Sequence, residues 1–201
     1  YRRQRQMCIR DRVIDATKFK SECIQPGTEG LIPNRNVSVG SEDCLYLNIY
    51  IPKNQTDLDK NQFPVMFWIH GGSNIWGSGD FYDFSKLAIT QQVIVVTINY
   101  RLGLFGWFSS EHLRNTATGL DKSSNFGQLD LIKGLEWVQE NISAFGGDKN
   151  NVTIFGESAG GHNVLTLLAS PLSDGLFHKA ISQSGYVLSL IHISEPTRPE
   201  R

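Results

Sequence analysis

Three short runs of nearly unbroken apolar residues limit the folds open to this chain. They are Pro64–His70 (PVMFWIH), Val93–Tyr100 (VIVVTINY) and Asn151–Gly156 (NVTIFG). Strands without a wet face belong in a sheet covered on both sides, which is the habit of parallel sheets flanked by helices. Helical spacing fills the gaps between them. It is seen over Phe81–Gln92, over Asn125–Phe145 with Leu129, Ile132, Leu135 and Val138 on one face, and over Ser158–Ala169. Gly146-Gly147 ends the second of these helices. Leu45–Ile51 alternates like a strand, Lys179–Gly185 reads as a short further strand, and Val13 to about Gly40 reads as loop. Strands alternating with helices predict an α/β fold with a mostly parallel sheet and right-handed crossovers.

The two ends of the chain do not match its middle. Met7–Asp11 (MCIRD) and Leu188–His192 (LSLIH) can be back-translated into DNA strings that are reverse complements of one another. An inverted repeat at both ends of a reading frame resembles a transposase sequencing adapter read in frame. Residues 1–12 and 188–201 are therefore expected to be adapter-derived and to extend off the domain, and residues 13–187 to form part of one α/β domain. Setting aside the seven basic and three acidic residues of those ends leaves 12 and 17, a net charge of −5. That mild acidity, with no basic stripe, argues against a nucleic-acid partner. No window approaches eighteen consecutive apolar residues, so no membrane span is expected.

The third apolar run leads into Gly156-Glu157-Ser158-Ala159-Gly160 and then directly into a helical pattern. A serine on a sharp strand-to-helix turn is lifted to the carboxyl edge of a sheet. The glycines two positions either side remove side chains that such a turn would crush. The following helix directs its N-terminus at developing negative charge. The plainer alternative is a glycine-rich turn with an incidental serine. A second feature argues against it: the run Pro64–His70 ends in His70-Gly71-Gly72, where missing side chains let backbone amides approach a ligand. Acyl transfer needs such amides around its oxyanion.

The motifs SEDCLYLNIY, FWIHGG, VTINYRLG, NFGQLDLIKGLEWVQENISAFGGD, NVTIFGESAGG and LFHKAISQSG stand in order from residue 41 to Gly185. In that order and spacing the chain resembles the type-B carboxylesterase family, the cholinesterase-related branch of the α/β-hydrolases. The resemblance implies an α/β-hydrolase fold, Ser158 as nucleophile, and amides of Gly72, Ser73 and Ala159 as oxyanion donors. It implies hydrolysis of small carboxylic esters through an acyl-serine intermediate, with no metal or cofactor. It also places the triad acid and histidine beyond this stretch, so that the 201 residues alone are expected to be inactive. His162, His70, His112 and His178 read as structural, and Glu157 as part of the elbow.

Two positions depart from the family: Ser73 stands where Gly or Ala is common, and Asn74 where an aromatic is common. Cys23 and Cys44 match positions that many members join by a disulfide, two reduced thiols being the alternative. A bridge would point to an exported protein. In cholinesterases this interval carries a tryptophan that holds a quaternary ammonium. Residues 24–43 contain no aromatic, so choline esters are disfavoured, while Trp76 and Trp107 could line an apolar pocket or pack in the core. Sequons at Asn36, Asn54, Asn141 and Asn151 matter only in a secreted eukaryotic setting. A catalytically silent, cholinesterase-like adhesion domain is the alternative function, and such domains characteristically lose the nucleophile that Ser158 would supply.

Overall fold

The computed structural model describes residues 16–29, 32–52 and 62–186. The suspected adapter segments 1–12 and 188–201 and the sequon at Asn54 lie outside the described residues.

Five strands make the main sheet: β3 (Leu47–Tyr50), β4 (Phe63–Ile69), β5 (Ile94–Ile98), β6 (Gly147–Glu157) and β7 (Lys179–Gln183). Their order is β3-β5-β4-β6-β7, with β3 antiparallel and the other pairings parallel. The helices are α1 (Ser85–Gln91), α2 (Gly103–Trp107), α3 (Glu111–Thr116), α4 (Phe126–Asn141) and α5 (Ala159–Ala169). The chain winds from β4 to β5 on one side, then returns to build β6 and β7 on the other. Such a reversal opens a crevice at the carboxyl ends of the strands.

The apolar runs are covered on both faces. Along β4, Val65, Phe67 and Ile69 join one core with Leu131, Leu135 and Val138 of α4 and with Val164 and Leu167 of α5. Trp68 points the other way, into a second cluster with Ala88 of α1, Val95 and Phe155. Each fully buried aliphatic side chain contributes on the order of 2 kcal/mol. The buried stripe of α4 is broader than the expected one. It runs through Gly127, Leu131, Ile132, Gly134, Leu135 and Val138, while Leu129 is only partly buried. Helix α4 ends in a 3-10 turn, Ile142–Phe145, before Gly146 in the left-handed conformation. Among the described residues no helix is long and apolar enough to cross a membrane.

The segment expected to be loop holds an antiparallel ribbon instead, β1 (Gln25–Glu29) with β2 (Ile32–Val39). Pro26 and Pro33 concealed it, because prolines interrupt strand patterns. In a ribbon of two strands each has one free edge, so a missing amide hydrogen is tolerated there. The register also shifts between Pro26 and Gly27. Cys23 and Cys44 are joined by a disulfide spanning 21 residues, and both are buried. In the chain-entropy model a loop of that size adds about 3 kcal/mol.

Candidate active site

Strand β6 hands over to α5 at Ser158, whose backbone lies at φ 56° and ψ −121°. A side-chain-bearing residue in that region costs on the order of 1–3 kcal/mol, so its surroundings must impose the geometry. They do so by close packing. A Cβ on Gly160 would stand 2.0 Å from the Ile69 carbonyl oxygen, and one on Gly156 would stand 2.5 Å from the Gly160 carbonyl carbon. The Ser158 amide donates to the Gln183 carbonyl at 2.8 Å, and the Ser158 carbonyl accepts from the His162 amide at 2.9 Å. The turn is thereby held on both sides by backbone, and the serine stands at the N-cap position of α5 with its side chain making no capping bond.

The His-Gly-Gly loop reaches the same edge of the sheet because β4 and β6 are parallel neighbours, with Ile69 opposite Gly156. A Cβ on Gly71 would come within 3.3 Å of the Ser158 Cβ and 2.8 Å of the Glu157 carbonyl oxygen. Gly72, Ser73 and Asn74 then follow with φ of 97°, 57° and 57°. At Gly72 the turn needs glycine twice over, since a Cβ there would also stand 2.0 Å from the Trp76 carbonyl oxygen. The Gly72 carbonyl accepts from the amides of Ile75 and Trp76, at 2.9 and 3.1 Å, and closes the turn.

Carboxamides from three separate elements hold this loop. Gln25 of the ribbon accepts from the Gly77 amide at 2.6 Å and donates to the Gly77 carbonyl at 3.1 Å. Asn99, just past β5, accepts from the Gly79 amide at 2.7 Å and donates to the Cys44 carbonyl at 3.1 Å. Asn163 of α5 donates to the Asn74 side-chain oxygen at 2.9 Å. All three are buried. Tyr100 adds a fourth tie by donating its hydroxyl to the His70 carbonyl at 2.6 Å. Burial pushes that phenol further above its ordinary range, so it stays a neutral donor. The backbone beside it is clamped by Arg101, whose amide and guanidinium donate to Asp130 at 2.7–3.0 Å.

The side chains of three of the four described histidines have hydrogen-bond partners of their own. His70 is fully buried and stacks on Tyr100 with ring centroids 4.3 Å apart. Burial lowers its pKa to about 4, against the opposing pull of its hydrogen bond to Gly71 and of the Asp80 charge. It is therefore neutral at pH 7, and its Nδ1–H donates to the Gly71 carbonyl at 2.8 Å. His162 engages the Tyr186 carbonyl through Nδ1. His178 accepts from the Val152 amide at 3.2 Å. His112 lies in α3, after β5. Glu157 is exposed and has its carboxylate beside Gly71. Trp107 packs edge-on to Tyr100 in the core, whereas Trp76 lies edge-on to the exposed Phe81, with its ring against Gly72. Among the described residues no cluster of His, Cys, Asp or Glu could hold a metal.

A strained serine between a parallel strand and a helix, beside a glycine loop from the adjacent strand, defines an α/β-hydrolase elbow. The profile of the carboxylesterase family matches residues 10–200, and the chain belongs to that family. Carboxylesterase 1E of Rattus norvegicus is 46% identical over 197 residues, covering 93% of this chain and 33% of that protein. Para-nitrobenzyl esterase of Bacillus subtilis (strain 168) is 49% identical over 175 residues, 86% of this chain and 34% of that one. Among solved structures, a thermophilic PNB esterase aligns with a TM-score of 0.73 at 45% identity, over 87% of this chain and 35% of that one. The chain thus spans about a third of the length of these relatives.

Sequence reasoning singled out the glycines and the serine and missed the carboxamides. Asn163 carried a faint signal, a polar residue on the buried side of α5 beside Val164 and Leu167. Gln25 and Asn99 carried none, because their partners are backbone atoms 52 and 20 residues away.

Proposed function

We propose that these residues supply the nucleophile and oxyanion half of a serine carboxylic-ester hydrolase. The proximity of Gly71 to Ser158 across β4 and β6 carries this reading, because it brings an amide-rich loop to the strained serine. Ser158 Oγ attacks the ester carbonyl and forms an acyl-serine, and the alcohol leaves. Water then releases the acid and restores the hydroxyl. The amides of Gly72, Ser73 and Ala159 receive the oxyanion in both tetrahedral steps. Substituting Ser at position 73 costs the hole nothing in kind, since the donor is backbone. Trp76 and Phe81 form an apolar wall beside Gly72 that suits an uncharged acyl or alcohol group.

The general base is expected from outside the described residues, where the resemblance puts the triad histidine, and the side chains of His70, His162 and His178 have other partners. The expected outcome is twofold. Full-length protein containing this segment hydrolyses p-nitrophenyl butyrate and loses on the order of 10⁴-fold or more in kcat on Ser158→Ala. The 201-residue chain alone gives no turnover above its own Ser158→Ala control. Undiminished turnover by full-length Ser158→Ala would refute the assignment of the nucleophile.

A further inference from the structure

The two halves of the proposed oxyanion hole belong to different parts of the chain. Gly72 and Ser73 sit on the loop after β4, and Ala159 sits at the start of α5. Their spacing must be held to a fraction of an ångström, because displacement of a catalytic group by about 1 Å can cost 10²-fold in rate. One side-chain hydrogen bond joins the two halves directly. Asn163 Nδ2, one turn and a little beyond Ser158, donates to Asn74 Oδ1 at 2.9 Å. Asn74 immediately follows the proposed donors, and its own carbonyl accepts from the Gly103 amide at 2.7 Å. Asn163 is 2% exposed, and its carbonyl accepts from Gln128 at 3.4 Å, so the helix end of the link is anchored in the core. The Tyr100 hydroxyl stands 3.5 Å from Asn74 Oδ1 while it donates to the His70 carbonyl, which places the link directly over the root of the loop.

The backbone gives Asn74 a reason to need such a partner. Ser73 and Asn74 both have φ of 57°, and two successive side-chain-bearing residues in the left-handed region are strained and need support from their surroundings.

We infer that the Asn74–Asn163 pair is a positioning device that sets the distance between the loop donors and the Ala159 donor. It acts through the backbone and touches no substrate atom. The inference rests on the oxyanion assignment made above, and its polarity is specific: position 163 must donate and position 74 must accept.

The test uses the full-length protein and five variants, Asn74→Asp, Asn74→Leu, Asn163→Asp, Asn163→Leu and the double Asn74→Leu/Asn163→Leu. Each is assayed for kcat and KM on p-nitrophenyl butyrate and for affinity towards a trifluoromethyl ketone, whose serine adduct places an oxyanion in the hole. Asn74→Asp keeps the acceptor and, although it adds a charge near the hole, should retain at least about 5-fold more kcat than Asn74→Leu. Asn74→Leu, Asn163→Leu and Asn163→Asp should each lose about 10- to 100-fold in kcat, with KM little changed. Ketone affinity should weaken by a like factor. The double variant should be no slower than the worse single, as for two halves of one link. Thermal unfolding identifies any variant that has lost its fold, and Asn74→Asp against Asn74→Leu, at a partly exposed position, decides the matter if Asn163 variants do not fold. Equal kcat in Asn74→Asp and Asn74→Leu, or ketone affinity unmoved by Asn163→Leu, would overturn the inference. Loss of activity in Ser158→Ala alongside such a result leaves the esterase reading standing, whereas an active Ser158→Ala removes that reading first.

Discussion

The serine elbow and the glycine loop stand side by side at the carboxyl ends of adjacent strands, yet they are held by different means. The elbow is fixed by sterics: Gly156 and Gly160 let β6, α5 and the end of β4 approach until any Cβ would collide with backbone. The loop is fixed by hydrogen bonds from distant side chains: Gln25 of the ribbon, Asn99 and Tyr100 just past β5, and Asn163 of α5. A turn made by contact is written locally, five residues in a row. A turn made by remote carboxamides is written in scattered residues whose purpose shows only when the chain is folded.

That contrast can be broken or sharpened by substitution. The largest effect is expected at the elbow. Gly160→Ala puts a methyl 2.0 Å from the Ile69 carbonyl oxygen, where only backbone can give way. Urea denaturation of the full-length protein should show a loss of about 4 kcal/mol or more. A loss under about 1 kcal/mol would mean that the elbow is softer than its packing indicates.

Next comes the buried imidazole at the root of the loop. The native state refuses a proton on His70 until about pH 4, while the unfolded chain accepts one near the ordinary value of 6.5. The unfolded state therefore binds more protons between those values. Stability should fall as the pH drops from 6.5 towards 4 and level off below, by on the order of 3 kcal/mol in all. His70→Asn keeps a donor towards the Gly71 carbonyl without titrating, and should remove that part of the pH dependence. Parallel profiles of wild type and variant would show that His70 is not the group responsible.

A somewhat smaller effect is expected at the remote end of the loop. Gln25→Ala strips partners from a buried amide and a buried carbonyl at Gly77. The expected cost is about 2 kcal/mol in chemical unfolding, with kcat reduced more than KM is raised. A change in KM alone would mean that Gln25 serves the substrate surface rather than the loop. The smallest effect belongs to Ser73→Ala. The residue is exposed and its proposed role is carried by its amide, so kcat should stay within about 3-fold. A larger drop would show that the hydroxyl takes part.

The same contrast explains what could be read before folding. The apolar runs of β4, β5 and β6 announced a covered parallel sheet, and the GESAG junction placed Ser158 between strand and helix. The ribbon Gln25–Val39 stayed hidden because Pro26 and Pro33 masked its alternation, and with it the service of Gln25 to Gly77. The buried stripe of α4 proved broader than its apolar residues indicated, because Gly127 and Gly134, which read as neutral spacers, lie on its buried side. The departure at Asn74 was visible as an oddity. Its partner five residues after the serine emerges only when α5 lies against the loop.

The most direct measurement is a crystal structure of the full-length protein after reaction with a p-nitrophenyl alkylphosphonate, which leaves a phosphonyl group on its nucleophile. The expected result is a covalent bond to Ser158 Oγ, with one phosphonyl oxygen about 2.7–3.1 Å from the amide nitrogens of Gly72, Ser73 and Ala159. A phosphonyl group on another residue, or one on Ser158 with its oxygens turned away from the Gly72–Ser73 loop, would contradict the proposed site.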